Sequence, residues 1–146
     1  MILYLDTSAL VKRYVREAGT DEVIALVESA ESVGSVSLTR VEMAAAFAKI
    51  VRQGWVDMKI AMQAWHDFLD HWSSFTRLHI PPGTIDRASS LAWEYGLRGY
   101  DAMHLASALL WKETLETQIT LATFDRDLWQ AGKKAGMGVW PEALVS

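Results

Sequence analysis

Four acidic residues stand where strand-like runs give way to helices. Asp6 follows Ile2-Leu3-Tyr4-Leu5, and Glu42 lies in the first turn after Ser35-Val36-Ser37-Leu38. Asp101 follows Gly99 at a helix start, and Asp125 follows the β-branched run Gln118 to Thr123. In an open parallel α/β sheet, ligands gather beyond the carboxyl ends of the strands, where such turns present their side chains. Two explanations compete. Each acid suits a helix start by capping or by facing the positive end of the helix dipole. Thr39-Arg40-Val41-Glu42 has the capping-box pattern, with Thr39 accepting from the first turn and Glu42 reaching back to the Thr39 amide. Taken jointly, carboxylates within about 4–6 Å of one another repel and raise each other's pKa unless a cation compensates them. Hard oxygen donors select Mg²⁺ or Mn²⁺. One or two such ions support phosphodiester hydrolysis without a protein nucleophile.

The elements that must position these acids follow from periodicity. Apolar positions predict a strand over 2–5, a helix from Ala9 to Val15, a helix from Thr20 to Ala30 and a second strand over Ser35–Leu38, after a break at Gly34. A helical hairpin is expected next, Thr39 to Gly54 and then Asp57 through Trp72, with a third strand at Leu78–Ile80. Helices from Thr84 to Tyr95, Asp101 to Lys112 and Asp127 to Lys134 surround the strand over 118–123, and Gly138–Trp140 forms a last strand. Strands alternating with helices, with no hairpin dipeptide between strands, imply right-handed crossovers. The expected fold is α/β, a single domain over residues 1–146 with a short, mostly parallel central sheet of about four to five strands flanked by helices on both faces.

At four places the sequence resembles the motifs of PIN domains, in the same order and with matching separations. They are Leu5-Asp6-Thr7-Ser8-Ala9-Leu10, Arg40-Val41-Glu42, Tyr100-Asp101-Ala102-Met103-His104-Leu105-Ala106 and Thr123-Phe124-Asp125-Arg126-Asp127-Leu128. The resemblance runs from Ile2 to about Trp140, and a single short domain most resembles the VapC-type toxins of toxin–antitoxin pairs. It implies a metal-dependent endoribonuclease in which Asp6, Glu42, Asp101 and Asp125 bind one or two Mg²⁺ or Mn²⁺ ions, with Asp127 as an outer acid or alternate ligand. Thr7 or Ser8, and Thr123, match hydroxyl positions that orient a carboxylate or water, with backbone capping as the alternative. His104 shares a helix face with Asp101, as a substrate contact or as a hydrogen-bonded structural group. Lys12, Arg13, Arg16, Arg40, Arg98 and Arg126 are candidates for RNA phosphates, the alternative being solvated helix faces. The resemblance also implies a homodimer and a groove that receives an antitoxin's carboxy-terminal segment.

Composition sets limits on these readings. The 146 residues include no cysteine, which excludes disulfides, thiolate metal sites and a cysteine nucleophile and fits a reducing cytoplasm. No two of the four histidines have zinc-site spacing. The longest run without Asp, Glu, Lys or Arg is Ala102 to Trp111, ten residues, too short to span a membrane. The amino terminus lacks a basic n-region and is expected to be a strand rather than a signal peptide. A net charge of −4 argues against binding nucleic acid through a broad basic surface and leaves a local basic rim as the expectation. Trp65, Phe68, Trp72 and Phe75 form one helical stripe, read first as core and second as a surface for another chain. The alternatives to a toxin nuclease are a housekeeping RNA-processing nuclease of the same fold, an inactive PIN fold, and a receiver-like phosphoacceptor. The last usually needs an acidic pair after strand one and a late lysine, whereas Asp6 is followed by Thr7-Ser8 and the residues just beyond Thr123 offer acids instead of lysine.

Overall fold

The structure, a computed structural model, describes residues 1–144; of the domain expected over 1–146, residues 145 and 146 lie outside the described part. In chain order the elements are β1 (Ile2–Leu5), α1 (Thr7–Leu10) with a 3₁₀ turn (Val11–Arg13), α2 (Thr20–Ser29), β2 (Ser32–Val36), α3 (Thr39–Arg52), α4 (Met58–Trp72), β3 (Thr76–Leu78), α5 (Thr84–Tyr95), α6 (Gly99–Leu115), β4 (Ile119–Ala122), α7 (Arg126–Lys134) and β5 (Gly138–Trp140). Among the described residues five strands form one sheet in the order β3-β2-β1-β4-β5, and every pairing is parallel. β1 is central, which is why it is apolar throughout: a strand covered on both faces has no position for a solvated side chain.

The pleat sends alternate β1 residues to opposite faces. Leu3 and Leu5 pack with Leu10, Met43, Phe47, Phe68 and Trp72, so α1 to α4 cover one side. Tyr4 joins Leu105, Leu109, Leu121 and Leu128, so α5 to α7 cover the other. The aromatic stripe of α4 is mostly core. Phe68, Trp72 and Phe75 are buried, and an unbroken series of ring contacts runs from Phe47 through Trp65 to Phe75.

Three elements depart from the sequence expectation. The helix expected from Ala9 to Val15 is a single turn of α1 followed by the 3₁₀ turn. β2 begins at Ser32 and ends before Leu38, which caps α3 instead. Gly34, read as a breaker, lies inside the strand, because Trp111 and the Thr76 carbonyl press against its Cα: an added Cβ would sit 2.7 Å from Trp111 Cη2 and 2.8 Å from Thr76 O. β3 takes the polar residues Thr76 and Arg77 rather than His79 and Ile80, since it is an edge strand, and a polar edge discourages further pairing. No helix among the described residues is long and apolar enough to cross a membrane.

The contact at Gly34 involves backbone on one side, which cannot swing aside. Gly34→Ala is expected to lower stability by about 1–3 kcal/mol, read as a lower urea midpoint at unchanged slope; an unchanged midpoint would show that β2 and α6 can separate without cost.

Candidate active site

The carboxyl ends of β1 and β4 lie side by side, with Leu5 in register with Ala122, so the residues that follow them meet. Asp6 caps α1: its Oδ1 accepts the Ala9 N–H at 2.9 Å. Ser8 Oγ lies 2.8 and 2.9 Å from the two Asp6 oxygens, and Thr123 Oγ1 donates to Asp6 Oδ2 at 2.6 Å. The same Thr123 oxygen accepts the Asp125 N–H, and Ser8 Oγ accepts that of Phe124. Two hydroxyls thus tie the two strand ends together and fix the Asp6 carboxylate. Asp125 caps α7 through Oδ1 and presents Oδ2 to Arg98 Nη2 at 2.6 Å.

Glu42 contradicts the capping-box expectation. Leu38 is the capping residue of α3, without a side-chain bond, and Thr39 instead bonds Ser35 in the core. The Glu42 carboxylate is free of helix duty and accepts from Thr7 Oγ1 at 2.8 Å and from His104 Nε2 at 2.7 Å. Asp101, in the first turn of α6, does not cap either; its Oδ2 accepts from Arg98 Nε at 3.1 Å. The capping explanation therefore covers Asp6 and Asp125, whereas Glu42 and Asp101 make no cap bond and have only the first-turn position beside the helix dipole. Glu42, Arg98 and Asp101 line one end of an open cavity of about 770 Å³ whose wall continues over Ile85, Ala88 and Tyr100.

His104 is buried and bridges two elements. Its Nδ1 meets the Tyr4 hydroxyl at 2.8 Å and its Nε2 meets Glu42, so it is the hydrogen-bonded structural group of the two readings. Tyr4 was not a sequence candidate. The available signal was a tyrosine in an otherwise aliphatic strand, whose hydroxyl needs a partner once buried.

The remaining candidates are dispersed. Lys12 pairs with Glu17 and lies over the Phe124 ring, Arg13 lies against Tyr14, and Arg16 pairs with Asp21. Lys12 is held in this way against its own neighbourhood, while the Arg16–Asp21 pair is exposed. Arg40 and Arg126 are exposed, and Arg98 is turned onto the acids. Asp127 is exposed in the first turn of α7, and its charge adds to the negative field around Arg98.

Burial pushes Asp6 above the ordinary carboxylate range despite His104, Thr123, Ala9 and Ser8. Asp101 is also raised, by burial and by the Asp125 charge, against the opposing effect of Arg98 and His104. Burial alone would lift Glu42 and lower His104. Burial is the largest single influence on each, yet the hydrogen bonds and opposite charges together outweigh it: Glu42, with His104 and Thr7 as donors, falls below its usual value, and His104, beside Glu42, Asp6 and Asp101, rises above its own. Asp6, Glu42, Asp101 and Asp125 are hard oxygen donors, the donor chemistry that divalent cations such as Mg²⁺ and Mn²⁺ take. Among the described residues no group of three or more Asp, Glu and His side chains stands ready to hold a metal ion. Asp101 and Asp125 are engaged with Arg98, and Glu42 with His104 and Thr7.

The comparison with known families decides the fold's membership: residues 3–134 match the PIN domain. The chain belongs to the PIN domain family. It is 31% identical over 143 residues, 98% of this chain and 97% of the relative, to Ribonuclease VapC45 of Mycobacterium tuberculosis. Among solved structures, PAE2754 from Pyrobaculum aerophilum superposes with a TM-score of 0.63 at 30% identity, covering 95% of this chain and 92% of that one. A chain of a toxin–antitoxin complex from Klebsiella pneumoniae shares the fold at 18% identity, with a TM-score of 0.56, 81% of this chain and 83% of that one.

The titration directions set a pH dependence for this PIN domain. A raised His104 contributes stability that is complete below about pH 6.5 and is lost as pH rises through its folded-state value. Raised Asp6 and Asp101 act with the same sign, because the folded state holds their protons above the ordinary value of 3.8. Glu42 opposes only at the acid end, its contribution fading as pH falls below 4.5. Without added metal the protein is expected to melt higher near pH 5.5 than near pH 8, and His104→Gln to narrow that difference; equal melting temperatures would contradict the electrostatic account.

Proposed function

We propose that this protein is a metal-dependent endoribonuclease, the toxin of a toxin–antitoxin pair, which hydrolyses RNA phosphodiester bonds with Mg²⁺ or Mn²⁺ held by Asp6, Glu42, Asp101 and Asp125. The observation that carries the reading is that acids from separate helix starts are linked at the carboxyl ends of the strands, Asp6 to Asp125 through Thr123 and Asp101 to Asp125 through Arg98, with Glu42 and Asp101 lining one cavity. Membership of the PIN family and the ribonuclease name of a relative 31% identical support it.

A bound divalent ion supplies an activated water and stabilises charge on the phosphoryl and leaving oxygens. The chain's residues prepare the place for it. Ser8, Thr123 and the Ala9 amide fix Asp6, while Thr7 and His104 fix Glu42, and His104 is itself bonded to the Tyr4 hydroxyl. Asp101 and Asp125 face each other across Arg98, and Asp127 adds negative charge nearby as an outer acid. Arg40 and Arg126, both exposed, are basic residues free to meet RNA phosphates.

Partners have surfaces of their own. An apolar groove of about 380 Å³ between α3 and α4 is lined by Phe47, Val51, Met58, Ala61, Met62 and Trp65, and suits the apolar segment of an antitoxin. Ile85, Trp93 and Tyr100 are exposed on α5 and the start of α6, a face suited to a second copy in a homodimer. The substrate arm is tested by incubating a tRNA and rRNA pool with Mn²⁺, Mg²⁺ or EDTA. Discrete cuts are expected with metal, absent in EDTA and reduced at least about 100-fold in Asp101→Asn, whose fold is retained. Cleavage that persists in Asp101→Asn would overturn the assignment.

A further inference from the structure

We propose that Arg98 is the internal counter-ion of the acidic edge, bridging Asp101 and Asp125 when no divalent cation is bound, and that a cation reaches those carboxylates only by displacing its guanidinium. The inference rests on the proposed reading of the acids as a cation site. It starts from an arginine in an unfavourable place. Arg98 is the N-cap of α6, a position that ordinarily takes Ser, Thr, Asp or Asn, and it makes no side-chain cap bond there. A positive charge at this end also opposes the helix dipole. Helix formation therefore gives no reason for arginine at this position, whereas the two acids do.

The contacts have the geometry of a bridge. Nε donates to Asp101 Oδ2 at 3.1 Å and Nη2 to Asp125 Oδ2 at 2.6 Å, joining the first turn of α6 to the cap of α7. A planar fork with several fixed donors spans two acceptors in this way, which a single ammonium does not. Asp125 Oδ1 holds the Leu128 amide at the cap of α7, so Oδ2, the oxygen under Arg98, is the one that carries no helix bond. Guanidinium and metal ion cannot share that oxygen at short range without repulsion between like charges. The Arg98 side chain is 78% exposed, so it can swing away without unpacking anything.

The direct test is the affinity of the full chain for Mn²⁺ by isothermal titration, in wild type, Arg98→Gln, Arg98→Lys and Arg126→Gln. Arg126 is the control for charge alone, being next to Asp125 and exposed. Displacement predicts roughly tenfold tighter Mn²⁺ binding in Arg98→Gln, a smaller gain in Arg98→Lys, and less than about threefold change in Arg126→Gln. An unchanged or weaker affinity in Arg98→Gln would overturn the proposal, as would an equal gain in Arg126→Gln, which would mark a general effect of net charge. If wild type binds Mn²⁺ and Arg98→Gln binds it no better, only the arginine's role falls. If no variant binds Mn²⁺, the cation site falls with it.

Discussion

Asp6 is a carboxylate with almost no access to water, set at the end of the central strand, and much of the surrounding structure answers the cost of that position. An isolated buried charge is so unfavourable that a protein normally neutralises it or surrounds it with donors. Here two hydroxyls and a backbone amide converge on Asp6, and those hydroxyls also bind the start of the α7 junction. The register between β1 and β4 is what brings Ser8 and Thr123 to the same carboxylate. Fold and site are therefore one constraint seen twice.

The second carboxylate is handled by a different device. Glu42 is held from behind by a buried series, Tyr4 to His104 to Glu42, that passes from the core side of β1 through α6 to α3. The Tyr4 hydroxyl also accepts the Val36 amide, so the strand pairing of β1 with β2 and the aim of Glu42 depend on the same oxygen. A buried polar network of this kind is stabilising only when every member is satisfied. The arrangement leaves Asp101 and Asp125, on the cavity side, with a single exposed arginine as compensation.

Much of this was legible in the sequence, for identifiable reasons. β1 and β5 fall where their apolar runs lie, and the parallel sheet follows from the alternation of strands with helices. The acids could be picked out because each follows a strand-like run or opens a helix. What could not be read is pairing at long range. Gly34 is a strand glycine only because Trp111 packs on it, and β3 is polar only because it is an edge. Glu42 fits a capping box by local pattern, yet its partners are 35 and 62 residues away. Arg98 read as one of six surface cations, since nothing in its neighbourhood of the chain reveals that Asp125, 27 residues on, comes back to meet it.

The central claim is that Asp101 is placed for a cation and not for the fold, so stability and ion binding should part company there. Melting temperatures of wild type and Asp101→Asn near pH 8, each in EDTA and in excess Mn²⁺, test this most directly. The account predicts that Asp101→Asn melts no lower than wild type in EDTA, because a raised, repelled carboxylate has been removed, and that Mn²⁺ raises the wild type by several degrees and the variant little. A variant that is strongly destabilised in EDTA, or that gains as much from Mn²⁺ as the wild type does, would show that Asp101 serves the fold and that the cation, if bound, sits elsewhere.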